Sequence, residues 1–265
     1  MKRFLLFAAG AALLFTAGTC LSAEETKTLT TLFYGEGYSL NPEAYTEKTI
    51  IRFHPSGYIS CLESYVKRNN RILLVQLLTL RETPKGFQIL MAGEGAEPLL
   101  TLGEIRLFSS SLAKISLHGR EEGEVRILEE PESLQWEISF SGDPWYSFYL
   151  SSSTAVGQLN LHPHNGENLK TRNQSLKAEY RSFSIPEELV YLLRIKSQDL
   201  FIQGLKLENN VYHFYQRALG ESKIFEILGE PLETSPLIGA VNFFILTLGT
   251  YGQPLLHLPF TGTGF

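Results

Sequence analysis

The stretch from Leu102 to Ser141 leaves this chain little choice of fold. In Leu134-Gln135-Trp136-Glu137-Ile138-Ser139-Phe140-Ser141 apolar and polar side chains alternate, the period of a strand with one face in a core and the other in water. Three preceding pieces repeat the pattern: Ile105 and Leu107 against Glu104 and Arg106, Ala113, Ile115 and Leu117 against Lys114, Ser116 and His118, and Val125 and Ile127 against Glu124 and Arg126. The joints at Ser109 to Ser111, His118 to Gly123 and Glu129 to Ser133 are too short for crossover helices, so the four strands are antiparallel neighbours.

The same reading extends in both directions. Upstream, strands are expected from Thr28 to Tyr38, Thr49 to His54, Tyr58 to Val66, Arg71 to Leu80 and Phe87 to Ala92, divided by turns such as Pro55-Ser56-Gly57 and Lys67-Arg68-Asn69-Asn70. Downstream, Trp145 to Leu150 is a strand, and residues 151–175, rich in Ser and Asn and containing Pro163, form a long loop or boundary around a short strand from Val156 to Leu161. Strands resume at Leu176 to Phe183, Leu200 to Leu207, Val211 to Leu219 and Lys223 to Leu228. Ser184 with Glu187 has the spacing of a helix cap, which predicts one short helix to about Lys196 carrying Leu189, Leu192 and Leu193 on one face. Leu237 to Leu248, apolar except around Asn242, fits either a buried strand pair or a short buried helix.

The fold class is therefore all-β and mainly antiparallel: a barrel, half-barrel or sandwich meander of about a dozen strands with one short helix, closure being favoured because it removes open edges. Residues 24–150 form one meander and 176–265 a second β region, able to join in one domain with the first.

Residues 1–23 have the form of an export signal: Lys2 and Arg3, an apolar run from Phe4 to Phe15, and Leu21-Ser22-Ala23 before Glu24. The run is shorter than the ~20 residues of a membrane-spanning helix, and no transmembrane helix is expected after its removal. The chain is thus expected to be exported, to a periplasm, a cell envelope or the medium, with lipidation at Cys20 as the lesser alternative. Without residues 1–23 the chain keeps 21 basic against 28 acidic residues, a formal charge of −7, and it lacks a basic cluster. That charge argues against a nucleic-acid partner. Cys20 leaves with the signal or carries lipid, so Cys61 has no partner for an internal disulfide and reads as a buried small hydrophobe.

Chemistry-bearing patterns are sparse. His162-Pro163-His164 can point two imidazoles one way along an extended segment, half of a metal shell, with Glu167 the nearest acid. Asp143 and Asp199 are the sole aspartates, so acidic chemistry would fall to glutamates such as the groups Glu121, Glu122, Glu124 and Glu129, Glu130, Glu132, which read as solvated turn tips. Ser64-x-x-Lys67 and Ser111-x-x-Lys114 match a penicillin-binding motif but sit in strands rather than at a helix start, and no Lys-Thr-Gly strand accompanies them. No motif calls for a cofactor. The aromatic strands are more informative: Trp145, Tyr146, Phe148 and Tyr149, then Tyr212, Phe214 and Tyr215, place rings on both faces of two strands, and Trp145, Tyr149, Tyr212 and Phe214 are the candidate ligand-binding residues. His213 between them reads as a core or edge histidine.

These features predict a non-catalytic envelope or secreted protein that binds an apolar small molecule or lipid in a barrel-like cavity. The alternatives are a scaffold or adhesion module with a macromolecular partner, an outer-membrane barrel suggested by terminal Phe265, and a hydrolase dependent on metal or glutamate.

Overall fold

The computed structural model describes residues 27–34, 45–93, 99–118, 122–130, 132–151, 156–161, 176–185, 188–195, 200–207, 211–216, 222–230 and 232–249. It is a sixteen-stranded antiparallel barrel with one helix inside it. In chain order the strands are β1 Thr28–Phe33, β2 Glu47–Phe53, β3 Ile59–Arg68, β4 Arg71–Thr83, β5 Gly86–Ala92, β6 Leu100–Leu107, β7 Leu112–Leu117 and β8 Glu122–Glu130. They continue with β9 Ser133–Phe140, β10 Asp143–Ser151, β11 Val156–Leu161, β12 Leu176–Ile185, β13 Glu188–Ile195, β14 Leu200–Leu207, β15 Val211–Gln216 and β16 Ser222–Leu228, followed by the helix α1, Pro236–Gly249. Each strand pairs with its sequence neighbours, and β1 pairs with β16 from Thr30↔Leu228 to Phe33↔Phe225, which closes the sheet.

The meander from Leu102 forms as its alternation requires. Ile105, Ile115, Val125, Ile138 and Phe148 are all buried and lie in one core cluster, whereas Arg106, Lys114, Arg126 and Glu137 are exposed. Local chemistry sets the joints. Asn69 and Asn70 both take positive φ, at 50° and 60°, the left-handed conformation that Asn tolerates best after glycine and that a tight hairpin needs. Gly123 lets a ring close over the backbone: a Cβ there would stand 2.6 Å from the Phe140 ring.

The all-β, mainly antiparallel class with a single helix is as expected, built from sixteen strands among the described residues, and one expectation, the place of the helix, is corrected. The helix expected after Ser184 is absent: Ser184 belongs to β12, Leu189, Leu192 and Leu193 belong to β13, and the two strands pair from Ala178↔Ile195 to Ile185↔Glu188. Three leucines at helical spacing were weaker evidence than Val190, Tyr191 and Ile195, whose branched or aromatic side chains favour a pleated strand. The helix lies instead at Leu237 to Leu248, one of the two forms that stretch allowed. It is apolar around its whole circumference, as a helix enclosed on all sides must be; Leu237, Ala240, Val241, Phe243, Phe244, Ile245 and Leu246 are buried. The short strand expected from Val156 to Leu161 is β11, which pairs with β10 and β12; residues 152–155 and 162–175 of the expected loop or boundary lie outside the described residues.

Candidate functional site

The barrel interior is built around α1, which packs on β3, β4, β8 and β9. Polar side chains fasten it at two levels. Near its middle, Asn242 accepts a hydrogen bond from the Ile59 backbone N–H at 2.8 Å and donates one to the Gly57 carbonyl at 2.8 Å. At its end, Ser64 Oγ donates to the Gly249 carbonyl at 2.8 Å and Gln76 Nε2 to the Leu248 carbonyl at 2.9 Å, satisfying carbonyls that a helix terminus leaves without partners. Asn242, which with Thr247 interrupts the apolar run, is thus a fastening between wall and helix.

Rings surround the same helix. Trp136 stacks on Phe148, with centroids 5.2 Å apart, and meets Phe243 of α1, also at 5.2 Å. Tyr146 meets Phe243 edge-on at 5.4 Å, and Phe140 approaches Phe244 at 5.9 Å. Trp136 is 1 % exposed, and its Nε1 has no hydrogen-bond acceptor. This cluster was not among the sequence candidates. Its signal was present in the inward register of Trp136 with Ile138 and Phe140, but the partner helix lies about a hundred positions further on.

The four candidate residues separate. Tyr212 and Phe214 point inward and are buried in the core cluster. Trp145, next to a bulge between Pro144 and Tyr146, lies half-buried against Phe140 with centroids 4.3 Å apart. Tyr149 points outward and is 38 % exposed. His213, between the two inward rings, faces outward, with its Nε2 2.9 Å from a carboxylate oxygen of Glu226, its register partner on β16. His162, His164 and Glu167 lie outside the described residues. Among the described residues no group of three or more His, Cys, Asp or Glu side chains could hold a metal ion.

Outside the barrel two polar arrangements stand out. On β2 and β3, Arg52 contacts Glu63 at 2.6 and 3.3 Å, and Tyr65 donates to the same carboxylate at 2.8 Å. Burial alone would raise the Glu63 pKa, but the bonds from Arg52 and Tyr65 outweigh it and hold the carboxyl below its ordinary value. Burial, and then the bond to Glu63, push Tyr65 up to about 12. On β6 to β8 an open groove of about 370 Å³ is lined by Glu104, Arg106, Phe108, Lys114, Ser116 and Glu122, among others, with the Lys114 ammonium 5.6 Å from the Phe108 ring centre.

Neither Ser-x-x-Lys match makes a catalytic pair. Ser64 bonds inward to α1 while Lys67 lies over Tyr45 at 5.3 Å. Ser111 bonds to Ser109, and Lys114 sits over Phe108. No protein-family model, no curated protein and no solved structure matches this chain.

Proposed function

We propose that the chain is an exported, non-catalytic carrier that holds an apolar small molecule or lipid inside the barrel, beside α1. The observation that carries this reading is the mismatch between lumen and helix. Sixteen strands close a wide barrel, of the size that in porins leaves a channel, whereas a helix with its side chains is about 10–12 Å across. Leu29, Tyr212, Phe214 and Ile227 from β1, β15 and β16 carry the apolar lining beyond the strands on which α1 packs. An apolar lumen is a poor place for water and a good one for hydrocarbon.

The outer face favours an aqueous setting over a bilayer. Arg106 pairs with Glu104, Arg126 pairs with Glu124 at 2.6 Å, and Lys114 and Glu137 are exposed. A membrane barrel needs the reverse, with apolar side chains outward and polar ones inward. The scaffold reading retains support from the groove beside Phe108, which is 59 % exposed. Native mass spectrometry of residues 24–265, purified without detergent from an exporting host, separates these readings. A co-purified apolar molecule is the expected result; a bare mass together with a detergent-free, monodisperse protein would transfer the function to the outer surface.

A further inference from the structure

The β3–β4 hairpin outruns the strands beside it. β4 pairs with β3 from Arg71 onward, whereas its pairing with β5 begins only at Leu77↔Ala92. On the other side β2 follows β3 as far as Glu47↔Val66. Residues 68–72 therefore form a tip ahead of both neighbouring strands, and Arg68 through Leu73 are all exposed. The tip is stiff, because Asn69 and Asn70 at φ 50° and 60° make a two-residue turn matched to the twist of the hairpin.

Charge gathers there in a way that folding does not require. Arg68 and Arg71 are register partners, and like charges directly opposite each other on a sheet repel. Among the described residues no carboxylate pairs with either arginine. The chain from Ser64 to Arg81 contains no Asp or Glu, although residues 24–265 carry a formal charge of −7. On the opposite face Lys67 lies over the Tyr45 ring, with Ile72 as its register partner. Directly behind the arginines, Ile72 is 52 % and Leu73 36 % exposed. β6 starts at the same end of the barrel, and its first residues add Leu99 at 43 % and Leu100 at 66 % exposed. Water solvates the guanidinium groups but not these apolar chains. An anionic bilayer satisfies both: its phosphates neutralise the opposed arginines, whose stems lie along the apolar groups, and its interfacial zone takes Ile72 and Leu73 out of water.

We propose that the tip of the β3–β4 hairpin docks the protein on an anionic lipid surface, with Arg68 and Arg71 on the phosphates and Ile72 and Leu73 in the interfacial zone. Docking of this kind is peripheral, and it does not depend on a guest inside the barrel. Cosedimentation of the protein, purified without detergent from an exporting host, with vesicles tests it. Binding is expected to vesicles of phosphatidylglycerol mixed with phosphatidylcholine, and to be about tenfold or more weaker on phosphatidylcholine alone. The paired variant Arg68→Glu and Arg71→Glu is expected to lose about tenfold or more of the anionic binding, with its near-UV circular dichroism unchanged. Equal binding to both vesicles, or full binding by the paired variant, would overturn the proposal. A dye sensitive to its surroundings gives a second measurement, attached at Ile72→Cys. Cys61 is 1 % exposed beside Arg52 on the outward face of β3, and Cys61→Ala removes it as a competing thiol. The dye emission is expected to shift to the blue on anionic vesicles; binding without a shift would place the contact elsewhere and overturn the proposal. Association with soluble polyglutamate through the same arginines, and none with vesicles, would assign the tip to an acidic protein instead.

Discussion

Asn242 shows how much a single polar group matters in an apolar interior. Its amide satisfies two backbone groups of the chain entering β3, and both would be left buried without partners in Asn242→Leu. The expected loss is about 3 kcal/mol of unfolding free energy, read from denaturant titration. Glu63 and Tyr65 give opposite pH signatures. The Glu63 carboxyl is held below its ordinary value in the folded chain, so its contribution is present above the unfolded pKa and is lost as the pH falls through the folded one. Stability of the native protein and of Glu63→Gln should therefore converge toward acid. Tyr65 behaves in the reverse sense: its raised pKa favours the neutral phenol, so that contribution is complete below the ordinary tyrosine value and is lost as the pH rises toward about 12. Ultraviolet titration should find one phenol ionising near that value, and Tyr65→Phe should remove it.

At the scale of elements, α1 and the rings around it form one packing unit. Phe243 touches both Trp136 and Tyr146, so Phe243→Ala removes the contact shared by β9, β10 and the helix. The expected destabilisation is about 3–5 kcal/mol, with a shifted emission from Trp136 as its spectroscopic sign. A Trp145→Phe background isolates that signal, since the chain contains two tryptophans. The elements also show why the helix was misplaced from sequence. Ser184 to Lys196 carried a cap-like spacing of Ser and Glu, but its pairing partners on β12 and β14 decide its conformation. Leu237 to Leu248 had no amphipathic period because every face of it meets the barrel or other buried groups, and uniform apolarity is equally the pattern of a buried strand.

At the scale of the whole molecule, closure is the decisive event. The β1–β16 pairing joins residues about two hundred positions apart, and it leaves no open edge in the ring of strands. Closure also separates inner from outer faces over the whole wall, which is what gives the proposed carrier a lumen. The charged outer wall of β6 to β8 is expected to keep residues 24–265 monodisperse without detergent, and size-exclusion chromatography coupled to light scattering would check this.

The strands from Leu102 to Ser141 were legible in the sequence because alternation, turn residues and short joints are local, and each strand there pairs with its neighbours. The same locality made Asn69-Asn70 readable as a turn and the all-β class secure. Three things depended on tertiary structure: the conformation of Leu237 to Leu248, the partition of Trp145, Tyr149, Tyr212 and Phe214 among three environments, and the burial of Cys61 on an outward face. A residue's periodicity fixes which neighbours share its face, but what that face meets is set by chain folded against it from far away. For Asn242 that distance is 183 residues to its bond with Ile59, which no local pattern could reveal.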